Sequence, residues 1–455
     1  MHDMTQGPLR GHIARIAAFI CFSMVMQTLY ALVDLYWVGH LGAPAIAAVS
    51  VGSNMMFLVL AGTQALSIGT VALVAQAAGR KDTAAVTFST AQATGLSLAV
   101  GLAYLVLGFA FMRSYANAFA ADAHTAQLTV DYLVWFMPSL CLQFLMTAQG
   151  SALRGIGNMR LATFTQMGSL ALNFALAPVL VLGWPFGAPL GVAGAGLATF
   201  ISVLAATAFL GWRLARDGGA LRFSLEQLRP DFAAWKRILL IGLPAGGEFV
   251  LMSIYLLTVF SIARHFGPEA QAGFGVGMRW LQAFTMPALA ISFAAAAVAG
   301  QNYGAHLHER VRATFREALL QAGVLMLVSM ALLQIAPAAL MRLLSADPAV
   351  IAEGTSFLRI IAFNLPAAAV IFACSGLFQG LGNTMPALIA SAARVGLIMS
   401  LALWASTRPG FELRHIWGLS VFAALVQAGV CAWFLRREFR RRLPLPVGSP
   451  VPQSA

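Results

Sequence analysis

Stretches of twenty or more residues with almost no charge recur about every thirty to forty positions along this chain. Each is long enough to cross a hydrocarbon core of ~30 Å as an α-helix. That recurrence restricts the chain to a polytopic, all-α membrane architecture. Composition agrees, with 60% hydrophobic and only 10% charged residues, which no soluble domain of this length shows. Gly (42) is plentiful and lets membrane helices pack closely, and Met (19) supplies adaptable apolar surface.

The pattern reads as twelve spans: 13–38, 46–75, 87–111, 129–150, 160–183, 191–213, 238–264, 272–299, 315–340, 353–377, 384–406 and 415–436. The segment 214–237 is the longest polar stretch and divides an N-lobe (1–213, helices 1–6) from a C-lobe (238–436, helices 7–12). The tail 437–455, ending PLPVGSPVPQSA, is expected to be disordered.

A net charge of +12 would suit a nucleic-acid partner if it were gathered on one soluble face. Here the basic residues cluster in the short segments between spans, as orientation signals do, so no nucleic acid is expected. With a cytoplasmic N-terminus, the inside segments hold twenty of the twenty-eight Lys and Arg, including the Arg436–Arg442 cluster. Both termini are therefore expected on the cytoplasmic side of a cell (inner) membrane. Cys21, Cys141, Cys374 and Cys431 all fall within spans without paired spacing, which argues against a disulfide framework or a zinc site. The first span follows a basic residue, has no clear small-residue cleavage site, and reads as a retained helix.

The two halves repeat. Shifted by 225 residues, LGAPAIAAVSVG (41–52) falls on FGPEAQAGFGVG (266–277), and RGIGN (154–158) on QGLGN (379–383). The same shift places Gln76 and Gly79 on Gln301 and Gly304. Each half has an even number of spans, so both halves insert the same way. They are expected to be related by a pseudo-two-fold axis along the membrane normal with a cavity between them, the arrangement of an alternating-access transporter.

Asp34 lies inside the first span. An aspartate at the centre of a spanning helix costs roughly 2.5–3.5 kcal/mol on insertion scales, so it is expected to face protein or a wet cavity. Tyr30, Gln27 and Ser23 precede it by four, seven and eleven residues, which places all four on one helical face. That polar stripe reads either as an ion or proton site or as a hydrogen-bonding seam between helices. A carboxylate whose surroundings alternate between dry and wet can take up a proton on one side and release it on the other.

The repeated segments VDLYWVGHLGAPAIAAVSVGSN, VALVAQAAGRKD, RGIGNMRLATF, GVAGAGLATFIS, AGQNYGA and QGLGNTMPAL resemble those of the multidrug and toxic compound extrusion (MATE) family. The likeness runs from residue 13 to about 436, in the same order in both halves. It implies two six-helix lobes and export of organic, often cationic or amphipathic, compounds driven by protons or sodium. In this resemblance Asp34 matches the central coupling carboxylate, and Asn173 on helix 5 and Thr199 on helix 6 match polar members of an N-lobe cation site. A second acid, expected four residues after Asn173, is Ala177 here. This favours H+ over Na+ as coupling ion, with no other cofactor. Glu248 on helix 7 resembles a C-lobe acid of one branch, whose helix 10 aspartate is replaced by Ala368.

Further candidates come from the residues themselves. Glu248 follows GLPAGG, where Pro244 and two glycines loosen the helix, and Met252 and Tyr255 share its face. It reads either as a static partner of Arg279 in helix 8 or as a substrate or proton site. Arg279 aligns with Asn54 of the first repeat, and both are expected to face the central cavity with Met286. A cavity arginine warns against a purely cationic substrate range. Arg394 in helix 11 reads as structural or snorkelling. Gln166, Ser169 and Asn173 form a second polar stripe on helix 5. The partners expected are small organic molecules and the bilayer, with a monomeric chain. A lipid-linked saccharide flippase is the alternative that the intramembrane arginines keep open. No nucleophile–base pair or metal constellation points to an enzyme, and no nucleotide-binding loop is present.

Overall fold

The computed structural model describes residues 2–120, 122–184, 187, 189–216, 225–263, 266–406 and 412–444, without the side chains of Ala31, Asp34, Phe57, Leu58, Leu225 and residues 403–406. Among these, the helices are α1 (Leu9–Gly39), α2 (Ala43–Ser53), α3 (Met55–Gly79), α4 (Thr83–Phe119), α5 (Ala123–Gly155), α6 (Met159–Leu182) and α7 (Gly191–Arg216) in the first half. The second half holds α8 (Phe232–Ala263), α9 (Pro268–Gly304), α10 (His308–Ile335), α11 (Pro337–Arg342), α12 (Pro348–Ile361), α13 (Asn364–Gly380), α14 (Met385–Ser406) and α15 (Leu413–Arg442). Eleven helices are long and apolar enough to cross a membrane, and α12 with α13, bent by 54°, makes up to twelve. Large apolar side chains such as Val106, Phe111, Leu257 and Ile335 stand exposed on outer faces, as lipid-facing surface requires.

The helices overrun the apolar runs at their ends because polar caps and interfacial residues continue them. Asp82 opens α4 by accepting from Ala85 N at 2.9 Å, and Asp122 opens α5 by accepting from Thr125 N at 2.8 Å. Three expected spans are interrupted. Asn54 separates α2 from α3, Ala336 separates α10 from α11, and Ala362 and Phe363 separate α12 from α13. Two of these breaks have a proline cause: Pro337 opens α11, and the ring of Pro366 meets the carbonyl of the residue four before it, Ala362. In the 225-residue register the interruptions are not equivalent. The counterpart of α2–α3 is the unbroken α9, and that of α12–α13 is the unbroken α5.

The chain divides into two compact units: 1–3 with 18–246, and 4–17 with 247–455. In the first unit α5 is central, packed by α2, α3, α4 and α7, with Tyr132, Phe136, Met137 and Phe144 in its core. The start of α8 also belongs here and crosses α3 so closely that a Cβ on Gly242 would lie 1.9 Å from the Ala65 carbonyl oxygen. Leading into α8, the turn 225–231 is fastened to α4 by Gln92. Its amide donates to the carbonyls of Gln227 (2.7 Å) and Arg229 (2.8 Å) and accepts from Asp231 N (3.0 Å).

In the second unit α9 and α13 form the centre. They approach so tightly that a Cβ on Gly376 would lie 2.4 Å from the Ser292 carbonyl oxygen. Phe274 stacks on Trp417 at 5.1 Å, with Phe357 edge-on to both. Residues 4–17 complete this unit. Met4 is fully buried, its N–H donates to Gln301 Oε1 (3.0 Å), and its carbonyl accepts from Asn302 Nδ2 (3.2 Å). Arg310 ties the same segment through Gly7 O (3.0 Å) and Asn302 Oδ1 (3.0 Å).

Candidate functional site

Each unit holds a polar cluster between its first, fifth and sixth spans. In the first unit it lies between α1, α6 and α7. Ser23 Oγ meets Thr163 Oγ1 at 3.2 Å, and about four turns further along α1 Trp37 packs edge-on against Phe174 at 6.1 Å. These two contacts tie α1 to α6, with the chains running in the same direction. Asp34 lies about one turn before Trp37, and Asn173 immediately before Phe174; the side chain of Asp34 lies outside the described residues. Gln27 and Tyr30 are half-buried on the α1 face between the two contacts.

Asn173 is fully buried, and its Nδ2 donates to Thr199 Oγ1 on α7 at 3.3 Å. Thr199 in turn donates to the Ala195 carbonyl of its own helix at 3.1 Å. Asn173 Oδ1 is buried with no hydrogen-bond partner among the described residues. A buried amide oxygen left unmatched is costly, and either a cation or a proton-bearing group would satisfy it. Ala177, one turn along α6, is buried and offers only a methyl group where a second carboxylate would sit in a two-acid cage.

In the second unit the cluster lies between α8, α14 and α15. Tyr255 is buried, with its hydroxyl 3.1 Å from Ser420 Oγ. The guanidinium of Arg394 lies over the Tyr255 ring, 5.4 Å from its centre, and donates to Gln427 Oε1 at 3.3 Å. Gln427 Nε2 donates onward to Ser391 Oγ at 3.0 Å. Glu248 is half-buried two turns before Tyr255 on α8. Arg279 is exposed on α9, and no ion pair joins it to Glu248 among the described residues, so the static-pair reading of these two is corrected. The reason is geometric, since Arg279 projects from the open face of its helix. Met252 is exposed, Met286 is half-buried and Asn54 is exposed at the α2–α3 break.

The α14–α15 residues of this cluster, Ser391, Arg394, Ser420 and Gln427, were not brought together from the sequence, although in the repeat register Ser391 and Arg394 fall on Gln166 and Ser169 of the helix 5 stripe. A further buried knot joins Arg154, Ser67 and Ser151 at the end of α5: Arg154 Nη2 reaches Ser67 Oγ at 2.5 Å and Ser151 Oγ at 3.3 Å. No spacing rule links those three positions.

Two repeated bundles of apolar spanning helices, each holding an intramembrane polar cluster, have the architecture of a membrane transporter. The chain matches the MatE family over residues 20–179 and 244–404, one match per half, and belongs to that family of efflux transporters. It is similar to the multidrug export protein MepA of Staphylococcus haemolyticus, 24% identical over 431 residues that cover 93% of this chain and 92% of the relative. MepA of Staphylococcus aureus is 22% identical over 414 residues, covering 90% and 88%. Among solved structures, a multidrug resistance MATE family transporter in an outward-facing conformation superposes with a TM-score of 0.87 at 23% identity, over 97% of this chain and 98% of its own. A MATE structure in a bent conformation gives 0.88 at 23% identity, over 96% and 97%. These establish the fold of twelve helices in two lobes.

Proposed function

We propose that this chain, acting as a monomer with both termini cytoplasmic, exports amphipathic and cationic organic compounds across the cell inner membrane in exchange for protons. The observation that carries this reading is the oxygen of Asn173, fully buried and unmatched among the described residues, on α6 next to Phe174, whose ring meets Trp37 about one turn beyond Asp34 on α1. A protonated Asp34 would donate to such an oxygen, whereas an ionised one would leave it and turn to a cationic substrate or water. Protonation from the outer side would therefore displace a bound cation outward, and release to the inner side would reset the site. The similarity to proteins named for multidrug export supports the substrate class. Ala177 favours the proton, since one carboxylate and two neutral oxygens are a sparse shell for sodium.

The test is uptake of ethidium into inside-out proteoliposomes driven by an acid lumen, alongside a sodium gradient alone. The expected result is uptake with the pH gradient, reduced to the level of empty liposomes in Asp34→Asn at equal reconstitution. Full uptake from the sodium gradient alone, or normal pH-driven uptake in Asp34→Asn, overturns the coupling scheme.

A further inference from the structure

The two polar clusters occupy equivalent places in the repeat. The 225-residue shift that aligns the halves carries Tyr30 to Tyr255, Ser169 to Arg394, Ser202 to Gln427 and Ser23 to Glu248. The family matches at 20–179 and 244–404 follow the same register. Both clusters lie between the first, fifth and sixth spans of their unit and both keep the tyrosine. Their charged groups differ. The α1 helix of the first carries Asp34 in sequence, and the second places a guanidinium on α14 where the first has the buried Ser169.

Arg394 sits near the middle of α14, where an arginine costs roughly as much as the aspartate of α1 does on insertion scales. Its neighbours do not repay that cost. Of its five N–H donors, one reaches the neutral amide oxygen of Gln427, at 3.3 Å, and its plane rests on Tyr255. No carboxylate pairs with it among the described residues, and Glu248 makes no ion pair with it. The amide and the ring orient the guanidinium and leave most of its fork open, while Ser391 and Ser420 lock the orienting groups themselves. A half-buried, pre-oriented guanidinium with an open fork beside an aromatic face is the geometry that reads a carboxylate on an aromatic molecule.

We infer that Arg394, with Tyr255 and Gln427, forms an anion-recognising site in the second unit, which takes the carboxylate of zwitterionic amphipathic substrates. The inference rests on the exporter reading and adds to it. The second unit then supplies a recognition element for the negative group of a substrate, which the exporter reading alone does not.

The test compares rhodamine B, whose carboxylate is ionised at neutral pH, with its ethyl ester, which has the same ring system and only the positive charge. Binding to the full chain in detergent is followed by fluorescence anisotropy. In Arg394→Gln, rhodamine B is expected to bind about tenfold more weakly, equivalent to about 1.4 kcal/mol, with the ester changed less than twofold. Arg394→Lys keeps the charge without the fork and is expected to fall between. This milder variant decides the matter if Arg394→Gln folds poorly. Equal losses for both probes, or unchanged rhodamine B binding in a folded variant, overturn the inference and make Arg394 a helix clamp. Wild type that binds and transports the ester but not the acid also overturns it, while leaving the exporter reading standing. Failure of wild type to bind either probe overturns both readings for this class of compound.

Discussion

Replacing Asn173 with leucine should make the protein more stable and inactive. The amide is fully buried and makes one long hydrogen bond, 3.3 Å to Thr199, while its oxygen has no partner among the described residues. Leaving such an acceptor unmatched costs about 1–3 kcal/mol, and the bond given up contributes about 0.5–1.5 kcal/mol. Thr199 keeps its own acceptor at the Ala195 carbonyl, so its hydroxyl is not stranded. Leucine has the same branched four-atom outline and no polar atoms, and the net change is a gain of about 1 kcal/mol. At roughly 2–4 °C per kcal/mol for a domain of some 200 residues, the thermal midpoint should rise by a few degrees. The readouts are intrinsic-fluorescence unfolding in detergent and pH-driven ethidium uptake by the same preparation. A midpoint lowered by several degrees would show that Asn173 is a structural hub. Preserved uptake would show that its oxygen takes no part in coupling. Either result refutes the argument, because it requires a polar group kept at a cost to stability.

Gln92 fastens the turn 225–231 with three hydrogen bonds, so Gln92→Leu should loosen it locally by about 3 kcal/mol at ~1 kcal/mol per bond. A glutamate-specific protease should then cut at Glu226 at least tenfold faster, and unchanged cleavage would count against the strap. Asp122 accepts from the backbone and hydroxyl of Thr125, which holds its carboxyl below the ordinary aspartate range. A depressed carboxyl stabilises above its unfolded value and loses that contribution as pH falls through the folded one. Asp122→Ala should therefore lower the thermal midpoint at pH 7 and make no difference at strongly acidic pH. A deficit independent of pH would assign the effect to something other than the charge.

Hydropathy located every span because the bilayer demands a long apolar run wherever a helix crosses. It missed the helix ends, since Asp82 and Asp122 extend α4 and α5 through capping chemistry that adds charge rather than apolar length. Two of the breaks were readable from Pro337 and Pro366, but the one at Asn54 was not. Its backbone (φ −61°, ψ −25°) is ordinary helix, and no residue there announces a turn. The pairing of Asn173 with Thr199 followed from the family likeness, and helical spacing alone put Ser23, Gln27 and Tyr30 on one face. The Arg279–Glu248 pair failed because placing two charges in neighbouring spans says nothing about which way each side chain leaves its helix. The partners of Arg394, Tyr255 and Gln427, come from two other helices and were not legible from its place in helix 11.

The burial of Met4 beneath Gln301, Asn302 and Arg310 has a consequence for synthesis. Residues 4–17 emerge from the ribosome well before Gln301, Asn302, Arg310 and Gln321, to which they are hydrogen-bonded. The second unit thus cannot close its own surface until the oldest part of the chain returns to it. That return must span more than two hundred intervening residues, a long-range closure of the kind that slows folding. A nascent chain halted after its first half would carry this segment with nothing to cover Met4. A bulky fusion placed ahead of residue 4 would burden the last step of assembly rather than the first.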